Sequence, residues 1–268
     1  GWGFTWSPLV DGDHLICVPG GPKGLLAALD KKTGDVVWRS TGVTDQAPYS
    51  SPIVAEVGGV RQYVQMTYRG MVGVAAKDGK LLWTYKRTPA YNDVLIPTPI
   101  FHDDRVFATS GMGSGRGVGC DLVRITHSDG AFKATKVYAN QNMESRMGQV
   151  VLVNDHVFGW SASRRVPGWV CLDFKTGKVA WNEAEKLGAG SVIAADGDLY
   201  CYGEEDGIAA LVGATPEKYT EKGRFTIPEQ TKQRAPGGKI WTPPVVANGH
   251  LYLRDQELIF CYDVKGRE

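Results

Sequence analysis

Leu29-Asp30-Lys31-Lys32-Thr33-Gly34-Asp35-Val36-Val37-Trp38 returns twice more along the chain, as Ala75-Ala76-Lys77-Asp78-Gly79-Lys80-Leu81-Leu82-Trp83 and as Leu172-Asp173-Phe174-Lys175-Thr176-Gly177-Lys178-Val179-Ala180-Trp181. Three near-copies of one string are hard to obtain by chance, so the chain is built from repeats. The string reads as a strand, a tight turn at Thr-Gly or Asp-Gly, and a second strand ending in tryptophan. Working outward, each copy is preceded by two apolar runs joined by a short polar turn. The first of these runs starts near Pro8, Pro52, Pro99, Val150, Val192 and Pro244, spaced 44, 47, 51, 42 and 52 residues apart.

Spacings of this size suit one four-stranded propeller blade per repeat, taken along the chain as strands one to four. The expected fold is all-β: a β-propeller of about six four-stranded WD40-like blades in a single domain over residues 1–268, with the third, fifth and sixth copies degenerate in their second halves. The pairs Asp11-Gly12, Asp196-Gly197 and Asn248-Gly249 suit two-residue hairpins that need positive φ between strands one and two. Thr33-Gly34 and Thr176-Gly177 turn strand three into strand four, and the tryptophan that follows is large and flat enough to fill the wedge between neighbouring blades. A β-sandwich with chance likeness between hairpins is the alternative.

The strings LDKKTGDVVW and LDFKTGKVAW, with strands of the SPLVDGD and VLVNDH type before them, resemble the PQQ-like repeat of pyrroloquinoline quinone (PQQ) propellers. The resemblance spans nearly the whole chain and is closest to bacterial PQQ-binding-like and polyvinyl alcohol dehydrogenase-like proteins. More distantly it extends to the outer-membrane assembly lipoprotein of the same repeat. It implies a bacterial protein exported to the periplasm, and it leaves activity open, because these blades serve dehydrogenases, scaffolds and binding proteins. Many members have eight blades. The sixth copy here stops at Cys261-Tyr262-Asp263-Val264-Lys265-Gly266-Arg267-Glu268 without a tryptophan-bearing strand. The last blade is therefore expected to be incomplete, as in a fragment of an eight-bladed parent, with an open edge that invites a homo-oligomer.

Composition narrows the partners. Thirty Lys and Arg against 29 Asp and Glu leave a formal charge of +1, which offers no basic field to nucleic acid. No run approaches the ~20 consecutive apolar residues of a membrane span. The five dispersed cysteines, Cys17, Cys120, Cys171, Cys201 and Cys261, read as small buried hydrophobes.

Quinoprotein dehydrogenases of this fold hold the cofactor under a disulfide between adjacent cysteines and beside calcium. This chain has no adjacent cysteines, and no Glu, Asn and Asp set aligns to those roles, so no catalytic residue is assigned. PQQ and calcium follow from the resemblance only, and no metal ligands are assigned. His14, His156 and His250 share one repeat position after the first turn and read as solvated turn residues. The run Gly111–Gly119 lacks the GxGxxG spacing of a dinucleotide site and reads as a flexible loop between strands two and three.

If the first strand of each blade lines a channel, its entry and the loops between strands two and three open on one face. The candidate ligand-binding residues on that face are Trp6, Tyr49, Arg69, Arg146, Arg164, Glu204, Trp241 and Arg254. Aromatic faces beside guanidinium groups suit a small molecule, a carbohydrate or a protein segment. The function expected is a ligand- or protein-binding module. The alternatives are a PQQ- and calcium-dependent alcohol or sugar dehydrogenase, and a scaffold that pairs through its open edge.

Overall fold

The computed structural model describes residues 3–87, 94–111 and 118–266, and contacts group the chain into two compact units, Gly1–Gln141 and Asn142–Glu268. The described residues form strands and connections, with no helix.

In the first unit, blade 1 comprises β1 (Leu9–Asp11), β2 (His14–Cys17), β3 (Ala27–Asp30) and β4 (Val36–Arg39). Blade 2 comprises β5 (Ile53–Val57), β6 (Val60–Thr67), β7 (Gly70–Ala75) and β8 (Leu81–Lys86), and blade 3 β9 (Ile100–His102), β10 (Arg105–Ser110), β11 (Gly119–Ser128) and β12 (Ala131–Asn140). In the second unit, blade 4 holds β13 (Val151–Val153), β14 (His156–Ala162), β15 (Pro167–Asp173) and β16 (Val179–Glu183). Blade 5 holds β17 (Gly190–Ala195), β18 (Asp198–Gly203), β19 (Ile208–Gly213) and β20 (Glu221–Thr226), and blade 6 β21 (Val245–Ala247), β22 (His250–Asp255) and β23 (Leu258–Asp263). Every blade is an antiparallel meander of four strands in chain order, except the three-stranded last one. The expected blades are present, and the third and fifth have fourth strands despite their degenerate sequences.

The hairpins between first and second strands explain much of the local sequence. Five of them put both loop residues at positive φ: Gly58-Gly59, Asp103-Asp104, Asn154-Asp155, Asp196-Gly197 and Asn248-Gly249. Glycine enters that region without steric cost, and Asp or Asn tolerates it better than other side chains. In blade 1 the loop is Gly12-Asp13 rather than Asp11-Gly12, since Asp11 pairs with His14 inside the sheet. His156 and His250 place Nδ1 2.7 and 3.0 Å from the turn carbonyls of Asn154 and Asn248, so both histidines are half-buried turn braces.

The turns between third and fourth strands are built on a carboxylate. The Asp30 Oδ1 atom accepts from the Lys32 and Thr33 N–H groups at 2.8 and 2.9 Å, which holds its carboxyl below the ordinary value of 3.8. Asp173 Oδ1 repeats the contact with the Thr176 N–H at 2.7 Å, and Gly34 and Gly177 close the two turns at φ 80° and 66°.

The repeated tryptophan then joins blade to blade. The Trp38 indole N–H donates to the Ala76 carbonyl of blade 2 at 3.1 Å, and Trp181 does the same to the Thr215 carbonyl of blade 5 at 2.7 Å. Gly79, at φ 71°, lies under the Trp38 ring, where a Cβ would overlap the indole. Trp83 departs from this pattern: it donates to Gln62 Oε1 in its own blade at 2.5 Å and rests on Gly73.

The cores fill the spaces between blades, with Ile16, Leu26, Trp38, Tyr63 and Val74 between blades 1 and 2, and Phe158, Cys171, Leu199 and Val212 between blades 4 and 5. Cys120, Cys171 and Cys201 are buried as expected, Cys17 is half-buried, and Cys261 on β23 is exposed, which corrects the reading of all five as core. Burial pushes the Cys171 thiol up to about 12.

Trp181→Ala is expected to destabilise the protein by about 2–3 kcal/mol, because removing a half-buried indole packed on the blade 4 and 5 core leaves a cavity and strips the Thr215 carbonyl of its donor. Trp181→Phe, which keeps an aromatic ring but loses the bond to Thr215, should cost about 1–2 kcal/mol. Urea denaturation followed by circular dichroism measures both.

Candidate functional site

Six of the predicted residues fall in connections between strands, while Trp6 precedes β1 and Arg254 lies near the end of β22, and each unit gathers its own set. In the first unit, the segment from Ser40 to Pro52 leads from β4 into β5 and carries Tyr49. Trp6 packs against the neighbouring apolar cluster beside Ala47, and its indole N–H has no hydrogen-bond partner among the described residues. The adjacent Ser7 N–H donates to Ser51 Oγ at 2.9 Å, and Phe4 sets its ring edge-on to Trp6 at 6.0 Å. Between β6 and β7, Tyr68 has its phenol raised by burial and by neighbouring Tyr49, while exposed Arg69 sits 3.5 Å from Asp45. Tyr49, Tyr68, Arg69 and Asp45 are thus brought together, and Trp6 packs on the blade 1 and 2 core that Ala47 of the same connection also meets.

Beside this set lies a buried ion pair, Arg87 Nε to Asp121 Oδ2 at 3.1 Å, with the Tyr85 hydroxyl donating to Asp121 Oδ1 at 3.2 Å. Burial, and then Asp121, push the Tyr85 phenol up to about 12. Residues 112–117 of the glycine run lie outside the described residues.

The second unit contains the more elaborate arrangement. Arg146 is exposed on the connection into β13, and Arg164 and Arg165 are exposed between β14 and β15, where Ser163 Oγ accepts from the Arg165 N–H at 3.1 Å. Glu204 begins the β18–β19 connection. The β22–β23 turn is flanked by Arg254, which is exposed and donates through Nε to the Gln256 carbonyl at 2.7 Å. Trp241 is half-buried on the connection into β21.

That connection, residues 227–244, acts as a strap across both acidic turns. Arg234 Nη2 meets Asp255 Oδ2 at 2.6 Å, and the Thr231 N–H donates to the same oxygen at 3.0 Å. The Asp255 carboxylate is only 1% exposed. The Thr231 hydroxyl donates to the Glu257 carboxylate, at 2.8 and 2.7 Å from its two oxygens. At the other end of the strap, Lys239 Nζ reaches Glu204 at 3.1 Å and Glu205 at 2.5 Å, and the Ile240 N–H donates to the Glu204 carbonyl at 2.7 Å. Lys239 holds the Glu205 carboxyl below its ordinary value of 4.5, and Glu205 in turn raises Lys239. Burial, then Asp255, raise the Tyr202 phenol next to this ion pair.

The candidates therefore separate. Tyr49 and Arg69 share a cluster in the first unit, Glu204 is neutralised by the strap, and Arg146, Arg164 and Arg254 present charge to solvent. Sequence reading missed Tyr202, and with it Thr231, Arg234 and Lys239, which lie on a connection without a repeated counterpart. The available signal was the 52-residue spacing before the last repeat, which leaves room for an extra segment.

Six antiparallel sheets, three of which carry a tryptophan on the fourth strand after an Asp- and Gly-bearing turn, define a β-propeller of PQQ-like repeats. The sequence family described as outer membrane protein assembly factor BamB (PQQ_2) matches residues 3–183, and the chain belongs to it. No curated protein matches the chain by sequence. Among solved structures, BamB from Moraxella catarrhalis is similar with a TM-score of 0.64 at 16% identity, over 96% of this chain and 74% of that one. The computationally designed Ika8 protein is similar with a TM-score of 0.65 at 9% identity, over 97% and 70% of the two chains. A europium-containing methanol dehydrogenase follows with a TM-score of 0.61 at 14% identity, over 92% and 60%. At these identities the structures share the fold. No helix of the described residues is long and apolar enough to cross a membrane.

Asp255→Ala leaves Arg234 without its partner in a largely buried position and should cost ~3 kcal/mol in urea denaturation. Replacing both members, Asp255→Leu with Arg234→Met, should recover much of that loss. At the other end of the strap the sign follows from Glu205. Its carboxyl is depressed in the folded state, so its contribution is present above its ordinary value of 4.5 and lost as pH falls through the lower folded value. Protection factors of amides in residues 228–240, referred to the intrinsic exchange rates at each pH, should fall in that acid window, and Lys239→Gln should weaken that pH dependence.

Proposed function

We propose that this chain is a non-catalytic binding module, exported to the periplasm, that engages an acidic segment of a protein partner through the strand connections of its second unit. One observation carries the reading. Arg234 is paired with Asp255 and the single cation of Lys239 is shared between Glu204 and Glu205, whereas Arg146, Arg165, Lys232 and Arg254 are exposed with no carboxylate partner among the described residues. These cations present positive charge at separate points of the second unit, with Asp206, Glu229 and Glu257 on the same connections and the chain as a whole nearly neutral. Arg164 is exposed beside them. The family description, an assembly factor, supports a protein partner rather than a metabolite.

A labelled Asp- and Glu-rich peptide tests this reading by fluorescence anisotropy. Salt-sensitive binding to the wild type is expected, weakened about tenfold or more by the combined Arg146→Glu, Arg164→Glu and Arg254→Glu exchange. The second reading, a PQQ- and calcium-dependent dehydrogenase, draws on the methanol dehydrogenase likeness. Saturable, calcium-dependent quenching of tryptophan fluorescence by PQQ would favour it, and a flat titration beside peptide binding would favour the binding module.

A third reading, a scaffold that pairs through its edge, draws on β23. This strand has no further neighbour in its sheet, and Ile259 on it is 67% exposed. It requires a dimer that grows with concentration in light scattering.

A further inference from the structure

The register of the fourth strands shows where one blade departs from the wedge pattern. Trp38 pairs with Ala28, Trp83 with Gly73 and Trp181 with Cys171, in each case immediately before the shift in pairing between third and fourth strands. In blade 3 the residue before the shift is Tyr138, opposite Leu122. In blade 5 it is Gly223, opposite Leu211. The position that a large aromatic side chain occupies in the other four-stranded blades is thus held by a residue with no side chain.

The space is real. Gly223 is exposed, and a Cβ there would meet nothing within 4 Å, so the slot is open to solvent. A cavity of about 350 Å³ opens there between blades 5 and 6, a size that suits a small ligand. Its walls match those around Trp181 one blade earlier. Phe158, paired with Cys171, lies 5.9 Å from the Trp181 ring, and its counterpart Tyr200, paired with Leu211, lines the cavity. Leu251 and Val264 of blade 6 take the places that Leu199 and Ala214 of blade 5 take around Trp181. Phe225 does not fill the slot, because it pairs with Ala209 further along and rests on Tyr262 at 4.5 Å.

We propose that this vacated slot between β20 and β22 binds a small planar bicyclic aromatic anion, an indole-sized ring carrying a carboxylate. The ring shape follows from what the same position holds in blades 1, 2 and 4. The charge follows from the rim. Arg224 is engaged by Glu221 at 2.5 and 2.6 Å and by the Lys186 carbonyl, whereas Lys265 lines the cavity with no ion pair among the described residues. The aliphatic part of Lys265 lies over Gly249, which sets its stem against the blade 6 hairpin. The slot is separate from the loops assigned to the protein partner.

Isothermal titration of the full chain with indole-3-acetate tests the assignment, with neutral indole alongside. The wild type is expected to bind indole-3-acetate more tightly than indole. Lys265→Gln should bring the two probes to similar affinity. Gly223→Trp should supply the missing ring, weaken indole-3-acetate binding by at least about tenfold and raise the melting temperature by several degrees. If that variant fails to fold, Leu211→Phe, which narrows the slot, should weaken binding in the same direction. A flat wild-type titration at millimolar probe, or unchanged binding in folded Gly223→Trp, would overturn the proposal. So would tighter binding of N-acetyl-tryptophan amide than of indole-3-acetate, because that would make the guest a partner's side chain.

Discussion

The joint between one blade and the next governs this molecule. A twisted four-stranded sheet has two faces, and a stack of such sheets leaves wedges that only a large, flat side chain fills. At Trp38 and Trp181 the ring fills the wedge and its N–H satisfies a carbonyl of the following blade. Burial and directionality are combined in one residue, so the joint fixes spacing as well as contact. The residues around it answer to this demand. Gly79 has no side chain because the Trp38 ring lies on it, and the Asp30 carboxylate holds the turn that aims the fourth strand.

The same constraint makes its exceptions informative. Trp83 turns inward onto Gly73 and Gln62 of its own blade, and the long blade 3 strands β11 and β12 accompany that change. Gly223 removes the wedge altogether and leaves an apolar cavity. Its neighbours do not collapse into it, since the walls are set by sheet pairing on both sides. In the second unit, the strap of residues 227–244 brings cations to two acidic turns. It leaves the exposed arginines as the charge available to a partner, so fold and candidate function meet in one connection.

Much of the fold was legible because repetition multiplies a weak signal. The Thr33-Gly34 and Thr176-Gly177 turns, the positive-φ pairs and the wedge residues each carry a local physical demand that recurs in several copies. The misread parts lack that reinforcement. The blade 1 hairpin slips to Gly12-Asp13 because one glycine satisfies either register, and Cys261 is exposed because β23 has no fourth strand beside it. Of the candidate site, the exposed arginines and the Tyr49–Arg69 neighbourhood could be read from loop position. Arg234, Lys239 and the buried Asp255 could not, because their pairing depends on where one unrepeated segment crosses two turns.

Hydrogen exchange of the indole N–H groups probes the blade joint most directly. In a chain with eight tryptophans, nitrogen-15 labelling at the indole gives one signal for each ring. The account requires the Trp38 and Trp181 signals to exchange orders of magnitude more slowly than that of Trp6, whose N–H makes no hydrogen bond among the described residues. Exchange of Trp38 and Trp181 as fast as that of Trp6 would contradict it.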